Sequence, residues 1–542
     1  MSRFTQQLYA HSDCRQQGII VGEPGNMLHR SWFEVDREAR RIAGALAGHG
    51  IEPGTRVAIL AAEPRDIAPA VRAVWMCGAS VTMLHQPTAR TDLALWLNQT
   101  ATVLGMIAAE VVILGVPFDD QLPPRSLPVR ALRLSELVEG PDFAPVEPAE
   151  EDAAFLQLTS GSTGTPKAIV ITHRNLYANI TAMAQRLGLQ QGRDVMVSWL
   201  PLFHDLGMIG LLAMPMQLGL DAVLVTPADF LRSPLVWAEL IDRYRGTITG
   251  APDFAYTLLA RRLSRAADDA YDLSSMRVAL NGAEPIDCAA MASFVAEAAR
   301  FGWPGTALVG AYGMAEATLA ISCSELTRGL TADVVDPSAL EVDHRAHRSA
   351  RSGRSYAVLG TPLPGIEVQV TDCAGVPLAA RQVGELQVRG ESVTAAFVTR
   401  EGTFAARTPQ GWLQTGDMGY RTESDELVIC GRRKDIIIIS GRNLYPADIE
   451  RATGRVDGVR AGNAVAVSLA AGTPAETFAV LAESALHSDT EQVRRIRRAI
   501  EVAIRDEFGV APETVAVLPP GALPKTPSGK LRRTHARLLL GP

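Results

Sequence analysis

Apolar and polar positions recur with two periods along the chain, and together these periods predict an α/β protein. Helical spacing over residues 34–50 is followed by a continuous apolar strand, VAIL, at 57–60. A helical pattern across 66–78 then leads into a second short strand at 80–84. Alternation of this kind favours a parallel sheet with helices on its faces. The sequence therefore predicts the α/β fold class, with doubly wound layered sheets.

The alternation continues to the end of ALVGAYG, and the pattern changes at about residue 360. Short alternating strands with glycine turns over about 360–430 predict a small antiparallel barrel or sheet. Beyond it, strand patterns and a long helix at 489–508 indicate a small α+β domain. We therefore predict an N-terminal domain over 1–433 and a small α+β C-terminal domain over 434–542, joined at GRRKD.

The longest apolar stretch, residues 101–118, could suggest a membrane span. Glu110 lies within it, and Gly115 and Pro117 close it. A helix end followed by a core strand is the better interpretation. The first seventeen residues also lack the apolar core of a signal peptide. We expect a cytoplasmic protein with no membrane insertion.

Composition narrows the class of protein. The 542 residues include 52 Lys and Arg against 59 Asp and Glu, a formal net charge of -7. This acidic balance argues against a nucleic-acid partner, which would require a basic face. The 47% hydrophobic content argues against disorder. The six cysteines form no C-x-x-C pair, which fits a reducing compartment.

Lysine is rare in this arginine-rich chain, and its positions are informative. The chain has only Lys167, Lys434, Lys525 and Lys530. All four lie in stretches that read as loops: TSGSTGTPK, GRRKD and PKTPSGK. Lysine offers a compact charge on a flexible stem, whereas arginine is a planar fork. A chance distribution is the alternative, but these stretches are a small part of the chain, so we interpret them as candidate sites.

The stretch TSGSTGTPK at 159–167 predicts a phosphate-binding loop between two strands. Backbone N–H groups and hydroxyls in such a loop can turn toward phosphate oxygens. It is not a Walker A loop, because Pro166 stands where that motif needs the second glycine, and a strand follows rather than a helix. A plain surface hairpin is the alternative, which the presence of Lys167 disfavours.

This loop resembles the signature loop of the adenylate-forming superfamily, which includes acyl-CoA synthetases, peptide-synthetase adenylation domains and luciferases. Six further stretches resemble later motifs of that superfamily, in the same order: WLPLFHDLGMIG, NGAEPID, AYGMAEATLA, QTGDMGY, GRRKDIIIISGRN and LPKTPSGKLRR. One such motif is weak evidence, whereas the ordered set spans nearly the whole chain.

The resemblance implies that a carboxylate attacks the α-phosphorus of ATP, giving acyl-AMP and pyrophosphate, with ATP and Mg²⁺ as cofactors. Both reactants are anionic, so cations and oriented dipoles must offset their repulsion. Motif by motif, it implies an ATP site formed by Thr159, Ser160, Gly161, Ser162, Thr163, Gly164, Lys167, Gly282, Ala283, Glu284, Tyr312, Gly313, Met314, Asp417 and Arg432. Within this site, Tyr312 would stack near adenine, and Gly282, Ala283 and Glu284 would line that slot.

The same resemblance implies further roles. Glu316 would be the metal ligand and a catalytic residue, since a carboxylate with phosphate oxygens suits Mg²⁺. Lys530 would bridge the carboxylate and the α-phosphate. Lys434 would lie at the hinge about which a mobile C-terminal domain swings between the two half-reactions. A surface glutamate and a basic tail are the alternatives for Glu316 and Lys530. His204 would lie near the acyl carboxylate as a third catalytic residue, although a lone histidine is more often structural.

Within the superfamily, the residues of SWLPLFHDLGMIG, NGAEPID, AYGMAEATL and especially SGRNLYPADIE resemble those of the fatty acyl-AMP ligases most closely. That resemblance implies a fatty acid substrate and a phosphopantetheinylated acyl carrier protein as partner, in lipid, polyketide or siderophore synthesis. The polar, loop-like stretch 320–359 is a candidate for that family's extra segment, which is thought to restrict domain movement. An acyl-CoA synthetase is the alternative. A non-catalytic scaffold would have lost charges such as Glu316 and Asp417, which are present.

Overall fold

The structure is a computed structural model that describes residues 1–87, 91–123, 126–160, 166–349, 353–473, 475–525 and 531–541, with the backbone alone at Ser160. Its strands are β1 (Gly18–Glu23), β2 (Asn26–Ser31), β3 (Arg56–Leu60), β4 (Ser80–Met83), β5 (Val111–Leu114), β6 (Arg130–Arg133), β7 (Ala153–Ser160), β8 (Pro166–Thr172), β9 (Val195–Ser198), β10 (Asp221–Leu224), β11 (Ile248–Ala251), β12 (Val278–Asn281), β13 (Leu308–Gly313), β14 (Ala320–Cys323), β15 (Ala332–Val335), β16 (Arg354–Ala357), β17 (Thr361–Pro362), β18 (Ile366–Thr371), β19 (Gly384–Gly390), β20 (Ala396–Thr399), β21 (Gly402–Ala405), β22 (Leu413–Arg421), β23 (Leu427–Arg432), β24 (Ile437–Ile439), β25 (Arg442–Leu444), β26 (Ala464–Leu469), β27 (Thr477–Glu483) and β28 (Thr514–Leu518).

The α-helices of the same residues are α1 (Arg3–Tyr9), α2 (Trp32–Gly48), α3 (Pro64–Met76), α4 (Leu93–Met106), α5 (Phe118–Gln121), α6 (Leu134–Leu137), α7 (His173–Leu187), α8 (Met214–Leu218), α9 (Pro227–Arg232), α10 (Leu235–Tyr244), α11 (Asp253–Leu263), α12 (Cys288–Ala298), α13 (Pro337–Val342), α14 (Pro446–Gly454), α15 (Thr490–Phe508) and α16 (Arg533–Arg537). Short 3₁₀ turns and one π-helical segment, Leu206–Ala213, complete the regular structure.

Two large sheets form the layers of the N-terminal part. The first has the strand order β17-β14-β13-β12-β11-β9-β10-β1-β2, and its strands from β13 to β1 are parallel. The second has the order β21-β20-β8-β7-β4-β3-β5-β6, with parallel pairing from β7 to β6. This arrangement confirms the predicted α/β class of layered sheets.

Helices α2 and α3 show how local sequence builds these layers. Ser31 and Glu34 form a reciprocal capping box at the start of α2, which satisfies N–H groups that the helix leaves open. Helix α3 is apolar on nearly all sides and is almost entirely buried. Its one buried cation, Arg72, is paired with Asp36 of α2, with 2.6 Å between Nη2 and Oδ1. The pair keeps the buried charge compensated.

Smaller sheets follow after residue 360. Strands β18, β19, β22 and β23 form the antiparallel sheet that the glycine-punctuated alternation predicts. Strands β26, β27 and β28 form a further sheet, and α14 and α15 supply buried residues to the same core as these strands, including Ile449, Ile496 and Ile500. The division between residues 433 and 434 stays a prediction.

The stretch 320–359 differs from the loop that its polar sequence suggested. Strand β14 pairs with β13, and β15 pairs with β16 as an antiparallel ladder. Helix α13 follows β15 and is capped by Asp336, whose side chain accepts from the backbone N–H of Ala339. The loop interpretation was wrong here because alternation in a strand as short as ADVV is easily hidden among polar residues.

The apolar stretch at 101–118 resolves as the sequence predicted, into the end of α4, strand β5 and a turn at Pro117. Among the described residues, no helix is long and apolar enough to cross a membrane. The cytoplasmic setting stays a prediction.

Candidate active site

A large cavity of about 1440 Å³ lies where the two sheets, the small antiparallel sheet and the C-terminal residues meet. Residues from both large sheets, the small antiparallel sheet and the C-terminal part line it, including Thr159, Lys167, His204, Leu206, Asp253, Glu284, Tyr312, Glu316, Asp417, Arg432, Lys434, Glu450, Lys525 and Arg533. The sequence motifs, which are hundreds of residues apart, therefore share one space.

Lys167 and Glu316 form an ion pair at the start of β8. Lys167 is the second residue of that strand, and Glu316 lies in the 3₁₀ turn that follows β13. The ammonium group of Lys167 donates to Oε1 of Glu316. The same ammonium lies 5.4 Å from the centroid of the Phe397 ring, which adds a cation–π contact. The pair places one cation and one carboxylate side by side on the cavity wall.

Asp417, Tyr312 and Arg432 form a second polar group on the wall. Tyr312 donates from its hydroxyl to Oδ2 of Asp417 at 2.7 Å, and Arg432 Nε lies 3.1 Å from Oδ1. Asp417 and Arg432 are paired across β22 and β23, so the strand register fixes their contact. Burial and the charge of Asp417 raise the pKa of Tyr312, which keeps its hydroxyl a donor.

The segment after β12 and the end of β13 line the cavity as a narrow backbone wall. A side chain at Gly282 would place its Cβ 2.7 Å from the carbonyl oxygen of Ala311, and one at Gly313 would lie 1.9 Å from that of Leu319. Glycine is therefore required at both positions. Ala283 adopts a φ of 69°, and Glu284 accepts a hydrogen bond at 2.9 Å from the N–H of Phe254.

The predicted phosphate loop is only partly described. Gly161, Ser162, Thr163 and Gly164 lie outside the described residues, as does the side chain of Ser160. The Thr159 hydroxyl is buried without a hydrogen-bond partner among the residues that the structure describes. A polar group left in this state is expected to meet a ligand or water. Thr159 itself lines the cavity, while its hydroxyl oxygen is buried in this state.

The other three lysines, Lys434, Lys525 and Lys530, are far from Lys167 in the sequence. Lys530 lies outside the described residues, while Lys525 and Leu531, on either side of that gap, pair as an isolated bridge and line the cavity. Lys434 lies in the turn Arg433–Asp435 and also lines it. Burial lowers the pKa of Lys434, and the charge of Arg432 lowers it further.

His204 lies on the cavity wall beside a histidine that the sequence interpretation missed. Its Nδ1 lies 2.6 Å from Oδ1 of Asp205, which precedes the π-helical segment. His85 follows β4, and burial together with the nearby His204 lowers the pKa of His85 to about 4. His85 is therefore neutral near pH 7. No short motif marks it, because residues 85 and 204 follow strands of different sheets, β4 and β9, and only the packing of the two sheets brings them together.

The donor set around Glu316 fits Mg²⁺. One carboxylate faces a cavity that also holds Lys167 and the Thr159 hydroxyl, and among the described residues no group of three or more His, Cys, Asp or Glu side chains could bind a metal. Mg²⁺ takes one or two carboxylates together with phosphate oxygens and waters. Glu316 would hold the ion, which when bound would offset phosphate charge.

Together, this fold and this cavity define an AMP-binding, adenylate-forming enzyme. A family model described as an AMP-binding enzyme matches residues 19–398. A solved structure from a study of fatty acyl-adenylate ligases from E. coli and L. pneumophila superposes with a TM-score of 0.89 at 28% identity, covering 100% of this chain and 97% of that one.

Curated relatives narrow the class further. Rv1013 of Mycobacterium tuberculosis, whose name describes it only as a ligase, is 48% identical over 100% of both chains. The long-chain-fatty-acid–AMP ligase FadD26 of Mycobacterium marinum is 32% identical over 93% of this chain and 90% of its own. The medium-chain-fatty-acid–[acyl-carrier-protein] ligase TtuA of Teredinibacter turnerae is 32% identical over 72% of this chain and 64% of its own. The chain belongs to the fatty acyl-AMP ligase family, and it is an ATP-dependent adenylating ligase.

Proposed function

We propose that this protein converts a fatty acid and ATP into acyl-AMP and pyrophosphate, and then passes the acyl group to the phosphopantetheine thiol of an acyl carrier protein. One observation carries the first half: a single cavity joins the polar groups at Lys167 and Asp417 to an apolar wall. The carrier protein as acceptor is supported by the likeness to TtuA and by the contacts of the stretch 320–359 described below.

The charges on the cavity wall suit the adenylation step. A fatty acid carboxylate oxygen would attack the α-phosphorus, and pyrophosphate would leave with the electrons of the broken P–O bond. Lys167 and the Thr159 hydroxyl would hold the outgoing phosphates, while Asp417 would accept from the ribose hydroxyls. Lys530 would bridge the carboxylate and the α-phosphate. Cations placed before the reaction stabilise the growing charge without reorganisation.

The apolar part of the wall suits an alkyl chain. Leu206, Leu211 and Met214 come from the π-helical segment and α8, and Leu258 comes from α11. Each CH₂ group buried against such a wall contributes roughly 0.8 kcal/mol. We therefore propose a fatty acid as the substrate.

The stretch 320–359 is tied to the C-terminal residues by an interdomain bridge of Glu341, Arg354, Tyr356, Arg442 and Asp448. Glu341 binds Arg442 at 2.5 Å and Arg354 at 2.8 Å. Asp448 lies 3.3 Å from Arg354 and accepts from the Tyr356 hydroxyl at 2.7 Å. Since Glu341, Arg354 and Asp448 are buried, opening the bridge would expose or strand charges. Such a bridge would oppose rotation of the C-terminal domain.

Product analysis tests the proposed function directly. The protein would be incubated with ATP, Mg²⁺ and a panel of saturated fatty acids, alone, with CoA, or with a phosphopantetheinylated carrier protein. We expect acyl-AMP to form alone and the acyl label to move to the carrier protein rather than to CoA. Rapid acyl-CoA formation would instead make it an acyl-CoA synthetase, and no adenylate with any acid would refute the proposal.

We expect Arg442→Ala to increase the share of product that forms as acyl-CoA, by about threefold or more, because the variant weakens the bridge. It leaves Glu341 paired with Arg354, so no buried charge is stranded. The measurement is the ratio of acyl-CoA to acyl-AMP at saturating CoA. Arg389→Ala is the matched control, since it removes an exposed ion pair with Glu367 elsewhere. An equal ratio in both variants would contradict a restraining role for the bridge.

A further inference from the structure

The chain segments that follow two neighbouring strands, β11 and β12, line two walls of the cavity. Strands β11 and β12 are parallel, and Ala251 pairs with Asn281 at their ends. Helix α11 begins at Asp253, directly after β11, and its face with Phe254, Thr257 and Leu258 lines the cavity. The segment 282–287 follows β12 and also lines the cavity. It contains Gly282, Ala283 and Glu284, which would line the adenine slot, and these three residues are called the adenine wall below. Whatever fixes these two connections to each other therefore sets the spacing of both walls.

A set of hydrogen bonds, the Asp253 clasp, joins the two connections in both directions. Asp253 Oδ1 accepts from Asn281 Nδ2 at 3.0 Å and from the N–H of Asp287 at 3.3 Å. In return, Glu284 Oε1 accepts from the N–H of Phe254 at 2.9 Å. Asp253 is 9% exposed, and its other oxygen, Oδ2, accepts no hydrogen bond from the part of the chain that the structure describes. Charged acceptors make the stronger hydrogen bonds, so the clasp depends on an ionised Asp253.

We propose that Asp253 is a positioning residue for ATP: as a carboxylate it holds the adenine wall against the start of α11. The inference rests on the proposed adenine slot at 282–284. In the adenylation scheme proposed above, Asp253 contacts neither the phosphates nor the ribose of ATP. Asp253 acts through Asn281 and the backbone of Asp287, so it changes nucleotide affinity rather than the chemical step.

The surroundings of Asp253 place its ionisation near neutrality. Burial raises its pKa to about 7, the charges of Glu284 and Asp287 raise it, and the hydrogen bonds from Asn281 and the Asp287 backbone lower it. Tyr256 on α11 and Cys288 at the start of α12 are the other titratable groups facing it. Both are neutral in this range, since Asp253 and burial raise their pKa values. Asp253 therefore gains a proton as the pH falls through neutrality, and the clasp weakens.

The test is equilibrium binding of ATP with Mg²⁺, without fatty acid, at about pH 8 and about pH 6. In the wild type we expect the Kd to rise between these values by about fivefold more than it does in Asp253→Asn. The phosphate groups of ATP titrate alike with both proteins, so the difference between them reports Asp253. The variant should show the weaker affinity at both pH values, with kcat for acyl-AMP formation changed less than KM for ATP.

Two further variants separate positioning from general damage. Asn281→Ala removes one of the two donors to Asp253 and should also weaken ATP binding. The double variant with Asp253→Asn should lose less than the sum of the two single losses, because both variants act on the hydrogen bond between Asp253 and Asn281. Asp221→Asn is the control: Asp221 also accepts a backbone hydrogen bond, from Gly18 at 2.9 Å, and burial also raises its pKa, but it does not line the cavity. It should retain the wild-type pH profile.

The outcomes separate the inference from the proposed function. Identical pH profiles in the wild type and Asp253→Asn, or additive effects with Asn281→Ala, would overturn the role of Asp253 even if acyl-AMP forms normally. The expected profile with no acyl-AMP from any acid would support the clasp while refuting the proposed reaction. Absence of ATP binding at every pH would overturn both. If Asp253→Asn does not fold, the pH profile of Asn281→Ala decides, since it should be flatter than that of the wild type.

Discussion

Replacing Lys530 with alanine should lower the rate of acyl-AMP formation about a thousandfold, which is the largest effect that we expect in this protein. Adenylation brings two anions together, and the proposed role of Lys530 is to bridge the attacking carboxylate and the α-phosphate. A role confined to that step predicts that kcat falls while the equilibrium Kd for ATP changes little. The measurement is single-turnover formation of labelled acyl-AMP.

The alternative interpretation of Lys530, a residue of a basic tail, is tested with its own control. Arg537→Ala removes an exposed cation of the same tail, at the end of α16, and should leave the rate within about twofold of the wild type. Lys530→Arg keeps the charge as a planar fork and should recover little activity, because the two cations differ in shape. Equal rates for Lys530→Ala and Arg537→Ala would refute the catalytic assignment.

Asp417→Ala should raise the KM for ATP and lower kcat/KM for ATP by about a hundredfold or more. The variant removes the proposed acceptor of the ribose hydroxyls. It also leaves the Tyr312 hydroxyl and Arg432 without the carboxylate that each contacts. Steady-state kinetics with ATP varied at saturating fatty acid is the measurement, and the KM for the fatty acid should change much less.

Tyr312→Phe provides the comparison for Asp417→Ala. It removes only the hydroxyl that donates to Asp417 and keeps both the ring and the ion pair with Arg432. We expect a loss of about tenfold, smaller than that of Asp417→Ala, because about 1.5 kcal/mol, the low end for a hydrogen bond to a charged group, corresponds to about that factor. A loss in Tyr312→Phe as large as in Asp417→Ala would mean that Asp417 acts only by orienting the tyrosine.

The sequence indicated most of the residue types that line the site, but it did not indicate which of these residues contact each other. The loop at 159–167, the carboxylates Glu316 and Asp417 and the rarity of lysine all indicate phosphate and cation chemistry. The ion pair between Lys167 and Glu316, however, joins residues 149 positions apart. Short motifs record the residue types that a reaction requires. They do not record which partner each residue meets in the absence of a ligand.

The stretch 320–359 and His85 show two further limits of the sequence. Periodicity failed in 320–359 because β15 and β16 are short strands with polar residues, stabilised by pairing with each other rather than by a broad apolar face. His85 belongs to no recognisable motif. It lines the cavity beside His204 because the chain after β4 of the second sheet packs against the chain after β9 of the first, where the rings of His85 and Phe203 are 5.1 Å apart.

By itself, the sequence determined the α/β class and predicted both the two strands within 156–173 and many of the charged residues that line the cavity, because these depend on local periodicity and composition. Only the tertiary structure decided that the strand ends of β11 and β12 lie side by side, that Asp253 contacts Asn281, and that α13 and β16 contact the C-terminal residues. The physical reason is that strand order in a sheet is set by packing of whole layers, which no window of neighbouring residues contains.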